Sequence, residues 1–289
     1  MEVQIARHAG LCYGVKRALR LARETRAAKS GPVYTLGDLI HNPQVIGDLE
    51  QQGIHAVKEI NDIDEGTVII RSHGVSPDVY QRLIEKRIPI VDATCPIVKR
   101  IQERVETLAD QGLEVVIVGN ARHPETLGLI GYSRGRGIVI ESAEQARSLA
   151  QRKRRAVLAQ STQDVFLLKE VVDVLVEKTR ELSVHNTVCQ STQTRQRATL
   201  DLASRVDVLF IIGGRNSSNT NKLYSMSRRV QPRTHFVESA GQIEPEMLIG
   251  ARKVGLSGGA STPPEAIREA ADRITDCVKQ LIHREKMVQ

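Results

Sequence analysis

The sequence predicts an α/β protein of three similar α/β lobes in a pseudo-threefold trefoil, and three observations carry that expectation. Short apolar runs alternate with amphipathic helical patterns along the whole chain of 289 residues, the signature of parallel sheets layered with helices. Three cysteines, Cys12, Cys95 and Cys189, recur at intervals of 83 and 94 residues. Each is followed by a helical pattern and then by an apolar run ending in glycine, at Gly37, Gly119 and Gly213, 24 or 25 residues on. Internal periodicity on this scale is the mark of a repeated unit.

Strands are expected at 33–36, 68–71, 88–92, 114–118, 138–140, 156–159, 208–212 and 253–256. Helices are expected to begin near Val15, Ser76, Pro96, Asp164, Thr194 and Pro263. The helix after Cys95 shows its period plainly, with Ile97, Val98, Ile101, Val105 and Leu108 on one face. Four residues past each run-ending glycine stands a polar group: His41, His123 or Ser217. A second strand end follows in each unit, marked by His73, Ser161 and Ser261. The lobes are therefore placed at 13–95, 96–188 and 189–289, the last completed by residues 1–12.

Bulk composition narrows the function classes. Hydrophobic residues make up 40% and charged residues 26%, which excludes global disorder. No run approaches the roughly 18 apolar residues of a membrane span, and the first residues lack a secretory signal core, so a cytoplasmic protein is expected. The balance is basic, 41 Lys and Arg against 34 Asp and Glu. The bases are scattered, however, and there is no Trp among few aromatics, so no nucleic-acid partner is expected. The densest run, Arg152 to Arg155, reads as a surface turn between a helix and a strand.

In a cytosolic chain the cysteines point to metal ligation, reactive thiols or core filling rather than disulfides. No C-x-x-C pair is present, so the usual structural zinc pattern is absent. Each cysteine alone reads as a small buried hydrophobe. Together, at equivalent repeat positions, the first three favour ligation by soft sulfur of zinc, copper(I) or an iron–sulfur cluster. A cluster held by three cysteines would be one short of the usual four, leaving an iron open. Cys277 has no repeat counterpart and reads as core packing in the final helix.

Ligands of α/β sheets gather at the carboxyl ends of strands. There His41, His73, His123, Ser217, Ser218, Asn219 and Ser261 form a set of hydrogen-bonding groups that suits a phosphate or diphosphate. Glu125, two residues after His123, reads either as a helix-start charge or as a proton carrier. The strings at Gly213-Gly214 and Gly255 to Gly259 fit neither nucleotide-loop pattern.

These motifs resemble those of the 4-hydroxy-3-methylbut-2-enyl diphosphate reductases, the LytB family. The strings are Gly10 to Ala18 around Cys12, Ile40-His41-Asn42, Ser72-His73-Gly74-Val75 and Asp92 to Pro96. They continue through His123-Pro124-Glu125, Cys189 with Thr194-Arg195-Gln196, Asn216 to Asn219 and Gly259-Ala260-Ser261. They run in the family's order over nearly the whole chain.

The resemblance implies a trefoil around a central 4Fe-4S cluster held by Cys12, Cys95 and Cys189 with one open iron. It implies that His41, His73, His123, Ser217, Ser218, Asn219 and Ser261 hold the diphosphate and that Glu125 supplies protons. The implied reaction is the last step of the non-mevalonate (MEP) isoprenoid pathway, fed by an electron donor such as ferredoxin or flavodoxin, with no membrane partner. Ser161 departs from the usual Thr but keeps the hydroxyl for the substrate contact. An iron–sulfur hydro-lyase and a cluster-based redox sensor are the alternative readings.

Overall fold

The computed structural model describes residues 1–288, and Gln289, the last residue of the third expected lobe, lies outside them. In chain order come β1 (Glu2–Ile5), α1 (Tyr13–Ala28), β2 (Val33–Leu36), α2 (Pro43–Gln51), β3 (Ile54–Val57), β4 (Thr67–Ile70) and α3 (Pro77–Glu85). Then follow β5 (Ile90–Asp92), α4 (Pro96–Asp110), β6 (Glu114–Val118), α5 (Pro124–Tyr132), β7 (Gly137–Ile140), α6 (Ala143–Ser148) and β8 (Arg152–Ala159). The chain continues with α7 (Val165–Lys178), β9 (Thr179–His185), α8 (Gln190–Ala203), β10 (Val208–Ile212), α9 (Ser218–Val230), β11 (Thr234–Val237), β12 (Lys253–Gly258) and α10 (Pro264–Val288).

The strands form three four-stranded sheets, ordered β3-β2-β4-β5, β7-β6-β8-β9 and β11-β10-β12-β1. All pairings are parallel. The order is the same in each: second, first, third, fourth. In the last sheet the fourth place is taken by β1, whose Val3 is in register with Val254.

The chain divides into two compact units. Unit 1 contains Met1–Cys12, His41–Pro43 and the chain from Gln190 onward, and so holds the sheet of β1, β10, β11 and β12. Unit 2 contains Tyr13–Ile40 and Gln44–Cys189, with the other two sheets.

β10 is apolar at every position and β6 at all but its first, because helices cover both faces. In β10, Val208, Phe210 and Ile212 join one core with Ile267, Ala270 and Ile274 of α10. Leu209 and Ile211, pointing the other way, join a second core with Leu202 and Leu223. The same period of two splits β6, with Val115 and Ile117 on one side and Val116 and Val118 on the other.

The expected strands are present, and four more occur: β1, β3, β9 and β11. All four are edge strands. An edge is only half covered, so sequences such as Thr-His-Phe-Val in β11 or Thr-Arg-Glu-Leu-Ser-Val-His in β9 carry polar residues that break the apolar run.

The basic run requires a correction, since Arg152 to Arg155 lies in β8 rather than in a surface turn. Arg152, Lys153 and Arg154 are exposed, but Arg155 is only 1% exposed. It bonds Glu114 Oε1 at 2.5 Å and the Ala150 carbonyl at 2.7 Å. A buried guanidinium is tolerated where its donors are matched in this way.

Candidate functional site

The glycines that close the apolar runs stand one residue beyond the central strands β2, β6 and β10. Each amide bonds to the end of the neighbouring edge strand: Gly37 to Val57 O at 2.7 Å, Gly119 to Ile140 O and Gly213 to Val237 O, both at 3.0 Å. The chain then turns into a helix with a polar residue at its mouth. His41 and Asn42 precede α2, His123 is the N-cap of α5 and Ser217 the N-cap of α9.

The cysteines hang from the third strand of each sheet. The amide of Cys12 donates to Ala260 O at 3.0 Å, that of Cys95 to Ser72 O at 2.9 Å and that of Cys189 to Ser161 O at 2.9 Å. So the same hydrogen bond ties each cysteine to the loop that carries Ser261, His73 or Ser161. Each cysteine immediately precedes a helix, α1, α4 or α8, and that end of a helix favours negative charge. None of the three is in a disulfide, and all are partly exposed. This donor set fits a thiolate-bound iron–sulfur group. Cys277 is different: it lies in α10, fully buried in the core, with its Sγ 3.5 Å from Ile243 O.

Two arginines fasten the loops that lead into cysteines. Arg17, on the helix after Cys12, donates to Thr94 O at 3.1 Å and to Asp92 O at 3.5 Å, just before Cys95. Arg195, on the helix after Cys189, donates to His8 O at 3.0 Å and to Gly10 O at 2.7 Å, just before Cys12. These residues lie inside the motifs read from the sequence, but their task depends on carbonyl positions that residue identity does not encode. Arg195→Gln would strip donors from two carbonyls and leave a polar mismatch costing about 1–3 kcal/mol. Calorimetry is therefore expected to show an unfolding midpoint lower by roughly 2–12 °C, and an unchanged midpoint would remove the clamp from consideration.

Unit 2 gathers the acid. Glu125, in the first turn of α5, is 1% exposed. Its Oε1 accepts the Ser161 amide at 2.6 Å and its Oε2 the Ser161 hydroxyl at 2.7 Å. Burial pushes its carboxyl up to about 7, against the opposing pull of the two Ser161 bonds. Its own amide donates to His123 Nδ1 at 3.2 Å, which leaves Nε2 as the ring nitrogen able to present a proton. The rings of His123 and His73 stand edge to face, centroids 5.3 Å apart. Gln160, unassigned by sequence reasoning, supports the group: its Oε1 accepts the Asn120 amide at 3.1 Å and the Thr126 hydroxyl at 3.5 Å.

Unit 1 gathers a second set. The Ser261 hydroxyl donates to His41 O at 2.9 Å, and Asn42 Nδ2 donates to Ser261 O at 3.0 Å. Ser217, Ser218 and Asn219 open α9, and Ser217 Oγ accepts the Thr220 amide at 3.4 Å. Asn219 is 3% exposed, and among the described residues neither its amide nitrogen nor its oxygen has a hydrogen-bond partner. Buried groups of this kind are normally satisfied, so Asn219 is chemically prepared for a polar ligand.

Parallel sheets that carry histidines, hydroxyls, a buried acid and three repeated thiols at their strand ends define the class: an α/β enzyme scaffold with thiols of the kind that suit a soft metal. The LytB protein family profile matches residues 3–275. The 4-hydroxy-3-methylbut-2-enyl diphosphate reductase of Geotalea uraniireducens is 44% identical over 283 residues, covering 98% of this chain and all of that one. That of Aquifex aeolicus is 42% identical over 286 residues, covering 98% and 99%. A solved structure of (E)-4-hydroxy-3-methyl-but-2-enyl diphosphate reductase, described as the terminal enzyme of the non-mevalonate pathway, aligns with TM-score 0.70 at 42% identity, covering 96% of this chain and all of that one. The Plasmodium falciparum reductase shares the fold at TM-score 0.89 and 23% identity, covering 94% and 87%. The chain belongs to the LytB family, the oxidoreductases named 4-hydroxy-3-methylbut-2-enyl diphosphate reductase. No helix among the described residues is long and apolar enough to cross a membrane.

Proposed function

We propose that this protein reduces 4-hydroxy-3-methylbut-2-enyl diphosphate to isopentenyl and dimethylallyl diphosphate in the cytoplasm. The observation that carries the reading is the buried Glu125–Ser161 pair, a protonatable acid hydrogen-bonded to a hydroxyl, in a chain with this ancestry. The reading keeps the three lobes 13–95, 96–188 and 189–289 with 1–12. It assigns Cys12, Cys95 and Cys189 to a 4Fe-4S cluster, which when bound supplies electrons one at a time and a Lewis-acidic iron with an open position.

The chain's own residues bind, orient and protonate. His41, His73, His123, Ser217, Ser218, Asn219 and Ser261 hold the diphosphate with hydrogen-bond donors. Ser161 meets the substrate hydroxyl. With a proton on Oε2, Glu125 donates to Ser161 Oγ, and the serine hydroxyl is then free to point its own proton towards the substrate oxygen. The carbon–oxygen bond breaks, the oxygen leaves as water, and two electrons and two protons are consumed in all. Ferredoxin or flavodoxin supplies the electrons, docking on the basic surface.

Anaerobic oxidation of reduced viologen by the cluster-containing protein tests the reading. Oxidation is expected only when 4-hydroxy-3-methylbut-2-enyl diphosphate is added. No oxidation in a sample with iron and sulfide present would overturn it.

A further inference from the structure

We infer that unit 2 carries a second anion site, against α5, for a small phosphorylated molecule with an apolar portion. The place is a cavity of about 220 Å³, smaller than the roughly 300–1,000 Å³ of drug-sized sites. Three cations line it: Lys58, Arg71 and Arg82. Among the described residues none of the three forms an ion pair with a carboxylate. One acid, Glu59, also faces the cavity, so the wall carries an excess of two positive charges. Asp38 acts on Arg71 only from a distance.

Arg71 is held there by the fold. It directly follows β4, and its Nε lies 3.5 Å from Gly74 O. Its Nη1 occupies space beside Gly37, where a Cβ would approach to 2.5 Å, and Gly37 has a φ of +71°. The positive φ favours glycine there, and the absent Cβ leaves the guanidinium its place. Burial lowers the affinity of Arg71 for its proton, and Asp38 opposes that effect. A half-buried guanidinium with no carboxylate in ion-pair contact gains most from a ligand that is itself an anion.

Part of the lining is apolar. Ile60, Val79 and Leu127 supply it, and Leu127 is 55% exposed although it is a large hydrophobe. The Ser76 side chain also lines the cavity and makes no capping bond at the start of α3.

The site touches a joint. α5 packs closely on the start of α3 through Gly131, where a Cβ would collide with the Ser76 side chain. A ligand between Ser76 and Leu127 therefore bears on both sides of the contact that sets α5. The first turn of α5 carries Glu125, and His123 is its N-cap. Occupancy would thereby be coupled to the acid group.

Titration calorimetry on the full chain tests this, with inorganic diphosphate and dimethylallyl diphosphate as separate probes. In an Asn219→Ala background one binding event is expected to remain, at least tenfold tighter for dimethylallyl diphosphate. Adding Lys58→Gln and Arg82→Gln, both on exposed side chains, is expected to weaken it tenfold or more. A remaining event that is indifferent to these two changes, the absence of any remaining event, or equal affinity for the two probes would overturn the proposal. If Asn219→Ala removes no event, the assignment of Asn219 to the catalytic diphosphate fails instead. The Lys58→Gln/Arg82→Gln pair then still decides the second site by whether it removes one event.

Discussion

Glu125→Gln is expected to cut turnover by about 10²–10⁴-fold while leaving iron and sulfide content unchanged. The substitution keeps the size of the side chain and an oxygen to accept the Ser161 amide, now bonded at 2.6 Å. It removes the one proton that the Oε2–Ser161 contact could pass on. The wild-type pH profile carries the same signature. Burial holds the carboxyl near 7 rather than at the ordinary 4.5, so the proton is present below that pH and lost above it. Turnover should fall by about tenfold per pH unit on the alkaline side of 7. The sign for stability agrees: the folded chain binds this proton more tightly than the unfolded chain, so the contribution is full below 4.5 and disappears as pH rises through about 7. A Glu125→Gln protein that still turns over at the wild-type rate would remove Glu125 as proton donor.

Replacing Cys12, Cys95 or Cys189 singly by Ser is expected to bleach the visible absorption of the anaerobically purified protein and to lower turnover by at least about 100-fold. Loss of an outer-shell partner alone commonly costs 10–100-fold at a metal site, and loss of a ligand costs no less. Cys277→Ser is the matched control. Its thiol lies in the core with a contact to Ile243 O, so this variant should keep its colour and lose about 1–3 kcal/mol of stability. Iron analysis and absorption spectra of the four variants, read side by side, decide the ligand set. Colour lost in the Cys277 variant and kept in one of the other three would reverse the assignment.

The central strands were legible because parallel sheets covered on both faces write continuous apolar runs, as in Val208 to Ile212. Cysteine spacing was legible because the repeat fixes where each strand-end loop returns. Edge strands such as β11 were not, since half of their surface meets solvent and admits His and Thr. Arg155 misled for a related reason: its neighbours in β8 are exposed cations, and only the register with Glu114 shows that this one is buried. At the site, Glu125 and Ser161 were singled out by motif, but the two hydrogen bonds between them join residues 36 positions apart. The arginine clamps lay beyond sequence reasoning altogether, because a backbone carbonyl acceptor has no residue identity to read.

The placement of β1 has a consequence for the order of synthesis. Its partner β12 ends at Gly258, so β1 leaves the ribosome long before the strand it pairs with and cannot enter its sheet until β12 has been made. Unit 2 lies between them in sequence and needs nothing from Met1–Cys12 to complete its own two sheets. The segment carrying Cys12 is thus made before unit 2 and secured after it, and closing this loop incurs the entropy of a long-range contact. Until then a nascent chain holds Cys95 and Cys189 in unit 2 and Cys12 on a segment not yet paired.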